Sequence, residues 1–245
     1  MRRARDGVAV GCMRIGSLFS GIGGLELGLE RAGVGTVAWQ CESDPYCRKV
    51  LAKHWPDVPR FEDIKTLKQP PVVEVICGGF PCQDISVAGR GDGLDGERSG
   101  LFFELMRVVR VVRPRLVILE NVPGLSSRGL GEVLGELAEA GFDAQWGCLS
   151  AAGVGAPHLR RRIFIIAYTH SDSIRHQPGW RRGTGWAGQG IPGYAGEEPR
   201  WEAPPSLCGT DDGVPHRMDR LRALGNAVVP QVGEQVGKLA LEMIA

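Results

Sequence analysis

No apolar run in the 245-residue chain approaches the ~18 residues a membrane-crossing helix needs, and no positive-then-apolar leader opens it. A membrane bundle is excluded, and a cytoplasmic protein is expected. Charge of one sign is also lacking: 29 Lys and Arg against 28 Asp and Glu leave +1, so nothing global marks a polyanionic partner. The seven cysteines (Cys12, Cys41, Cys47, Cys77, Cys82, Cys148, Cys208) are odd in number, scattered and without a C-x-x-C pair. A disulfide framework or a metal site is therefore not expected, and each cysteine reads first as a small buried hydrophobe. With 43% hydrophobic and 23% charged residues the chain is an ordinary globular one, long enough for one large domain or a core with a small appendage. Glycine is the exception. Its 36 copies, about 15% of the chain, are about twice the usual share and imply tight turns and close backbone approaches.

Residues 1–12 have no clean period and are expected to be a dispensable tail or a non-native start ahead of Met13. From there short apolar runs alternate with helical spacing. Strands are expected at Arg14–Phe19, Val37–Cys41, Val72–Cys77 and Leu116–Leu119, with two more near 143–149 and 162–168. Helices are expected at Leu25–Ala32, Pro45–Trp55, Leu101–Val112 and 129–140, and two short ones at Met218–Leu224 and Val229–Met243. Continuous apolar strands alternating with helices predict an α/β protein whose mostly parallel sheet is covered on both faces. The last two strands lack an intervening helix and should close the sheet as an antiparallel pair. The resulting division is a core domain at 13–168, an irregular insert at 169–216 rich in glycine, proline and tryptophan, and C-terminal helices at 217–245 that complete the core. Residues 151–222 carry ten Arg against seven Asp and Glu, and four of the five histidines. That is the sign expected of a nucleic-acid face, although a solvated irregular insert explains it equally well.

Four segments carry chemistry. Phe19-Ser20-Gly21-Ile22-Gly23-Gly24 joins the first strand to the first helix, where glycines let a ligand approach the backbone at a positive helix end. Glu42 ends the second strand, where a doubly wound sheet places a ribose-binding acid, and Asp63 follows the third. Taken alone, either carboxylate reads as a cap or a surface group. Gly78-Gly79-Phe80-Pro81-Cys82-Gln83 ends an apolar strand, so Cys82 is presented on a glycine-lined turn as a candidate nucleophile. Glu120-Asn121-Val122-Pro123 ends the next strand and should project its carboxyl into the same crevice. Arg160-Arg161-Arg162 leads into the last strand. Alternation sends Arg160 and Arg162 to one face, suited to an anionic or carbonyl oxygen; a solvated basic edge is the plainer reading.

In this order the segments resemble the bacterial and phage cytosine-5 DNA methyltransferases, over roughly residues 14–168 and 217–240, with Gly225-Asn226-Ala227-Val228 as a further match. The resemblance implies a Rossmann-like S-adenosylmethionine-dependent methyltransferase fold with a small target-recognition region at 169–216. It implies S-adenosylmethionine bound by Phe19, Gly21, Ile22, Gly23, Gly24, Glu42, Asp63, Leu101, Asn226 and Val228, with S-adenosylhomocysteine as product. It also implies catalysis by Cys82, Glu120, Arg160 and Arg162 on a flipped-out cytosine in double-stranded DNA. Gln83, Ser86, Arg90 and His158 would contact the nucleic acid, and the glycine-rich loop 84–99 would close over the base. A monomer with no obligate protein partner is expected. His158 stands where the family more often has glutamine, and Ser43 where an aromatic or aliphatic residue often covers the adenine. A methyltransferase acting on RNA, a catalytically silent DNA-binding relative and a nicotinamide oxidoreductase are the alternatives. Cys82, Glu120 and Arg162 together argue against the silent relative, and Pro81-Cys82 with Asn226 against the oxidoreductase.

Overall fold

A computed structural model describes residues 13–81, 100–169 and 215–244. Seven strands form one sheet: β1 (Met13–Leu18), β2 (Gly35–Cys41), β3 (Arg60–Phe61), β4 (Val75–Gly79), β5 (Leu116–Asn121), β6 (Phe142–Ser150) and β7 (Arg161–Thr169). Their spatial order is β3-β2-β1-β4-β5-β7-β6. All pairs from β3 to β5 are parallel, while β7 runs antiparallel to both β5 and β6. The mostly parallel sheet with an antiparallel closing strand is the expected architecture. The 1–12 tail, the loop 84–99 and nearly all of the 169–216 insert lie outside the described residues.

Apolar alternation inside the strands divides the core in two. Ile76, Val117, Leu119, Ile163 and Ile165 face α3 (Gly100–Val112) and α4 (Leu130–Glu139). Val75, Cys77, Leu116, Ile118, Phe164 and Ile166 face α1 (Gly24–Arg31) and α6 (Pro230–Ile244). Both faces of each central strand are dry, which is why these runs read as unbroken hydrophobic stretches. Strand β4 begins at Val75, not at Val72. Pro70 and Pro71 precede it, Pro cannot join a ladder, and Val72 is 53% exposed. Helix α2 (Pro45–His54) starts where its chemistry dictates: the Asp44 side chain accepts from the amides of Tyr46 and Cys47, and Pro45 needs no donor at the first position.

The chain runs outward from β1 to β3, then returns to lay β4 and β5 on the other side. This reversal leaves a crevice between β1 and β4 at the carboxyl ends of the strands. Its far wall comes from the end of the chain, through α5 (Arg217–Asn226) and α6. Glycines set how closely that wall docks. A Cβ on Gly24 would stand 2.1 Å from the Val228 carbonyl oxygen, and one on Gly28 would stand 2.5 Å from both the Glu234 nitrogen and the Pro230 oxygen. No described helix is long and apolar enough to cross a membrane.

Gly28→Ala should therefore push α6 away from α1, because the obstructing atoms are backbone and cannot rotate aside. A loss of about 1–3 kcal/mol is expected, read as a lower denaturation midpoint with an unchanged m-value. The same substitution at Gly131, whose Cβ would meet nothing within 4 Å, is the control.

Candidate active site

The crevice is a cleft of about 530 Å³, lined at one end by Phe19, Gly21, Gly24, Glu42 and Asn226–Val228, and at the other by Gly78–Pro81, Glu120–Val122 and Arg162. Pro81 is the last described residue before Cys82, which with Gln83, Ser86 and Arg90 lies outside the described residues.

The first end is a turn of left-handed residues. Phe19, Gly21 and Gly23 have φ of 54°, 56° and 86°, so the chain folds back sharply between β1 and α1. Glu42 fixes that turn from the end of β2. Its two carboxylate oxygens accept from the amides of Gly21 (2.7 Å) and Asp44 (2.8 Å), and each oxygen retains a further acceptor site. A Cβ at Gly21 would meet nothing within 4 Å, so the cleft is open above it. Gly23 lines no cleft surface; its Cβ position is covered by Trp55 at 2.4 Å. Ile22 and Leu101 are half-buried and also outside the lining, and Leu101 packs on the α3 side of the core. Asp63 is an exposed cap on the short turn Ile64–Thr66, accepting from the Lys65 amide at 2.9 Å.

At the second end β5 and β7 bring together two groups distant in sequence. The Arg162 Nε donates to Glu120 Oε1 at 2.9 Å. Glu120 is only 8% exposed. Burial pushes its pKa up, opposed by the positive charges of Arg162 and Arg160. The second oxygen, Oε2, lies 2.7 Å from where a Cβ on Gly79 would be; any side chain at Gly79 would displace it. Asn121 braces the turn before Cys82: its side-chain amide donates to the Phe80 carbonyl (3.0 Å), and its Oδ1 accepts from the Val122 amide (2.8 Å).

Arg160 does not line the cleft beside Arg162, although its charge still acts on Glu120. Strand β7 begins only at Arg161, and Arg160 has a φ of 22°, so the left-handed backbone breaks the expected alternation. Its guanidinium donates to the carbonyls of Gly225 (2.8 Å) and Ala227, stapling the end of α5 to the start of β7. Arg160 thus shapes the cleft wall from behind. His158 is exposed on the preceding turn, away from the cleft lining.

Three cleft residues escaped the sequence reading. Arg222 on α5 pairs with Asp44 at 2.6 Å, spanning the cleft mouth between groups 178 positions apart, for which no local signal exists. Glu26 lies in the first turn of α1, 1% exposed, with the Ser17 hydroxyl donating to it at 2.6 Å. Burial drives its pKa from the ordinary 4.5 to about 7. The signal for it was a lone carboxyl beside the apolar positions Leu25 and Leu29. Burial also raises the thiols of Cys41 and Cys47 to about 12, and that of Cys77 well above its ordinary value, so these remain protonated.

Residues 13–184 match the family described as C-5 cytosine-specific DNA methylase. The chain belongs to that family. Among its relatives, the type II methyltransferase M2.BsuMI of Bacillus subtilis (strain 168) is 36% identical over 168 residues, 65% of this chain and 43% of the relative. The type II methyltransferase M.NgoBI of Neisseria gonorrhoeae is 35% identical over 163 residues, 64% of this chain and 50% of the relative. This chain thus spans about half the length of these two relatives. A solved structure of a Spodoptera frugiperda DNMT2 mutant shares the fold, with a TM-score of 0.57 at 22% identity over 70% of this chain and 53% of the other.

The raised Glu26 pKa carries a stability consequence. The folded state binds this proton more tightly than the unfolded chain, so the contribution is fully present below about pH 4.5 and lost as pH rises through about 7. Glu26→Gln should flatten the fall in melting temperature across that interval in ligand-free protein, followed by circular dichroism.

Proposed function

We propose that this chain transfers a methyl group from S-adenosylmethionine to carbon 5 of cytosine in double-stranded DNA, through a covalent adduct of Cys82 with a flipped-out base. One observation carries the reading: the cleft that holds the glycine turn and Glu42 at one end holds the Glu120–Arg162 pair, and the residue preceding Cys82, at the other. A cofactor site and a base site in one crevice are what a direct transfer between two bound groups requires. The first end suits a nucleoside with an amino-acid tail. It offers open space above Gly21, a carboxylate with free acceptor sites in Glu42, and a wall from Asn226 to Val228. Phe19 would pack on the adenine, with Gly21 and Gly24 completing the surroundings; Ile22, Gly23, Asp63 and Leu101 lie outside the cleft lining.

When bound, S-adenosylmethionine supplies a methyl group made electrophilic by the positive sulfur. The chain's own residues do the rest. Carbon 5 of cytosine is a poor nucleophile until a group adds to carbon 6, and the Cys82 thiolate makes that bond. Glu120, whose pKa burial raises, would hydrogen-bond ring nitrogen 3 and the exocyclic amine, stabilising the charge that addition pushes into the ring. Arg162 holds Glu120 and reaches the base carbonyl by a charge-assisted hydrogen bond. After methylation, the carbon-5 proton passes to solvent, its bonding electrons re-form the double bond, and Cys82 leaves as thiolate. Arg160 adds positive charge near Glu120 and holds the segment that carries Asn226.

The base must leave the duplex stack, at a cost of a few kcal/mol, to reach such a cleft. Loop 84–99, with Ser86 and Arg90, together with Gln83, His158 and insert 169–216, would grip the DNA. The setting is a bacterial or phage-infected cytoplasm, and the chain acts as a monomer.

Incubation with duplex DNA and the tritiated cofactor should label the DNA, and a 5-fluorocytosine duplex should trap an adduct at Cys82, since the proton needed for release is missing. Cys82→Ser should abolish transfer while leaving cofactor binding near normal. Label in tRNA and none in DNA would overturn the substrate. Gly79→Ala should slow single-turnover transfer by roughly 10²-fold through the displaced Glu120 carboxyl, with cofactor affinity measured by calorimetry unchanged.

A further inference from the structure

We propose that Glu26 is the counter-charge for the cationic amino-acid end of the cofactor, and that binding expels a proton from its carboxyl group. The proposal rests on the cofactor reading above and assigns the nature of the cleft floor. Glu26 lines the cleft yet is almost wholly enclosed. The hydrogen bonds around it point one way: the Ser20 hydroxyl donates to the Ser17 oxygen at 2.8 Å, and the Ser17 hydroxyl donates to Glu26 Oε1 at 2.6 Å. Two aligned hydroxyls stabilise negative charge without neutralising it.

Among the described residues, the groups facing Glu26 supply no cation. On β1 they are Ser17, and on the following turn Ser20; at the end of β2 the acid Glu42 opposes its ionisation. On β4 the neighbour is the Cys77 thiol, its pKa raised by burial and further by the Glu26 charge. From α6 the contact with α1 at Gly28 is made by backbone from Pro230 to Glu234, and the Glu234 carboxylate is paired with Lys238 at 2.8 Å. Gln40, placed by strand register beside Ser17 on the same sheet face, is fully buried, and its side-chain amide has no hydrogen-bond partner among the described residues. Hydrogen-bonding hydroxyls are thus in place at Glu26, and among the described residues no positive charge acts on it.

An enclosed carboxylate without a cation is costly, so it takes up a proton. Burial holds this one half-protonated near pH 7. A ligand that brings an ammonium and a sulfonium to the cleft favours the ionised form, and the displaced proton leaves to solvent. Linkage then fixes the sign: affinity rises with pH up to about 7 and levels off above it.

Calorimetric titration of the full chain with S-adenosylmethionine, from pH 5.5 to 8.5 in buffers of differing ionisation enthalpy, tests this. Wild-type affinity should climb up to tenfold per pH unit below about 7, with close to one proton released at the acid end. Glu26→Gln, which preserves the Ser17 contact, should lose both the slope and the released proton. The cofactor's own amino group titrates alike in both proteins, so the difference between the two profiles belongs to Glu26. Proton release by the wild type alone decides the matter should the variant fail to fold. A wild-type affinity independent of pH below 7 with no released proton, or an unchanged slope in a folded Glu26→Gln, overturns the inference. Absence of binding by the wild type at every pH overturns instead the cofactor reading beneath it.

Discussion

A buried carboxyl group braced by a single guanidinium, Glu120 on Arg162, is the contact around which the molecule is organised. It exists because β7 runs against β5: an antiparallel neighbour begins where β5 ends, so the first residues of β7 arrive at the carboxyl edge of the sheet. A parallel strand in that place would bring its first residues to the opposite edge. The inserted strand is thus what gives one end of the crevice a basic partner for its acid. The crowding of β4 belongs to the same constraint, since Gly79 leaves room for the second oxygen of Glu120, and Gly78 packs its α-carbon against the Leu18 carbonyl.

Much of this was legible in the sequence because it is local. Strand–turn–helix punctuation gave the parallel core, and the runs Gly78–Gln83 and Glu120–Pro123 lie where strands end, so their position followed from strand order. What was not legible depends on backbone departures and on long-range closure. Alternation assigns Arg160 to the side of Arg162, yet a single left-handed residue ahead of the strand turns it toward the C-terminal segment. The Arg222–Asp44 pair joins positions with no shared local pattern. Glu26 falls within an otherwise helical, solvent-compatible sequence, and only packing against β1 reveals that it is enclosed. Asp63, conversely, sits where an acid of the cofactor site was expected, and there caps a short turn.

The crevice has two kinds of wall. The strand-end wall is rigid by virtue of the ladders behind it. The wall from Asn226 to Val228 is held by side-chain staples and glycine contacts instead: Arg160 on two carbonyls, Arg222 on Asp44, and Gly24 against Val228. Arg222 is 62% exposed, so its share is modest and sensitive to salt. The Gly24 and Arg160 contacts, made to backbone, carry the registration.

That second wall has an implication for biosynthesis. A chain emerging from the ribosome lays down β1 to β5 long before residue 228 is made, so the central sheet can assemble around a pocket still missing one side. The crevice gains its second side only when the closing helices emerge. For most of its translation the nascent protein is a half-built vessel, open on the side that α5 and α6 will close.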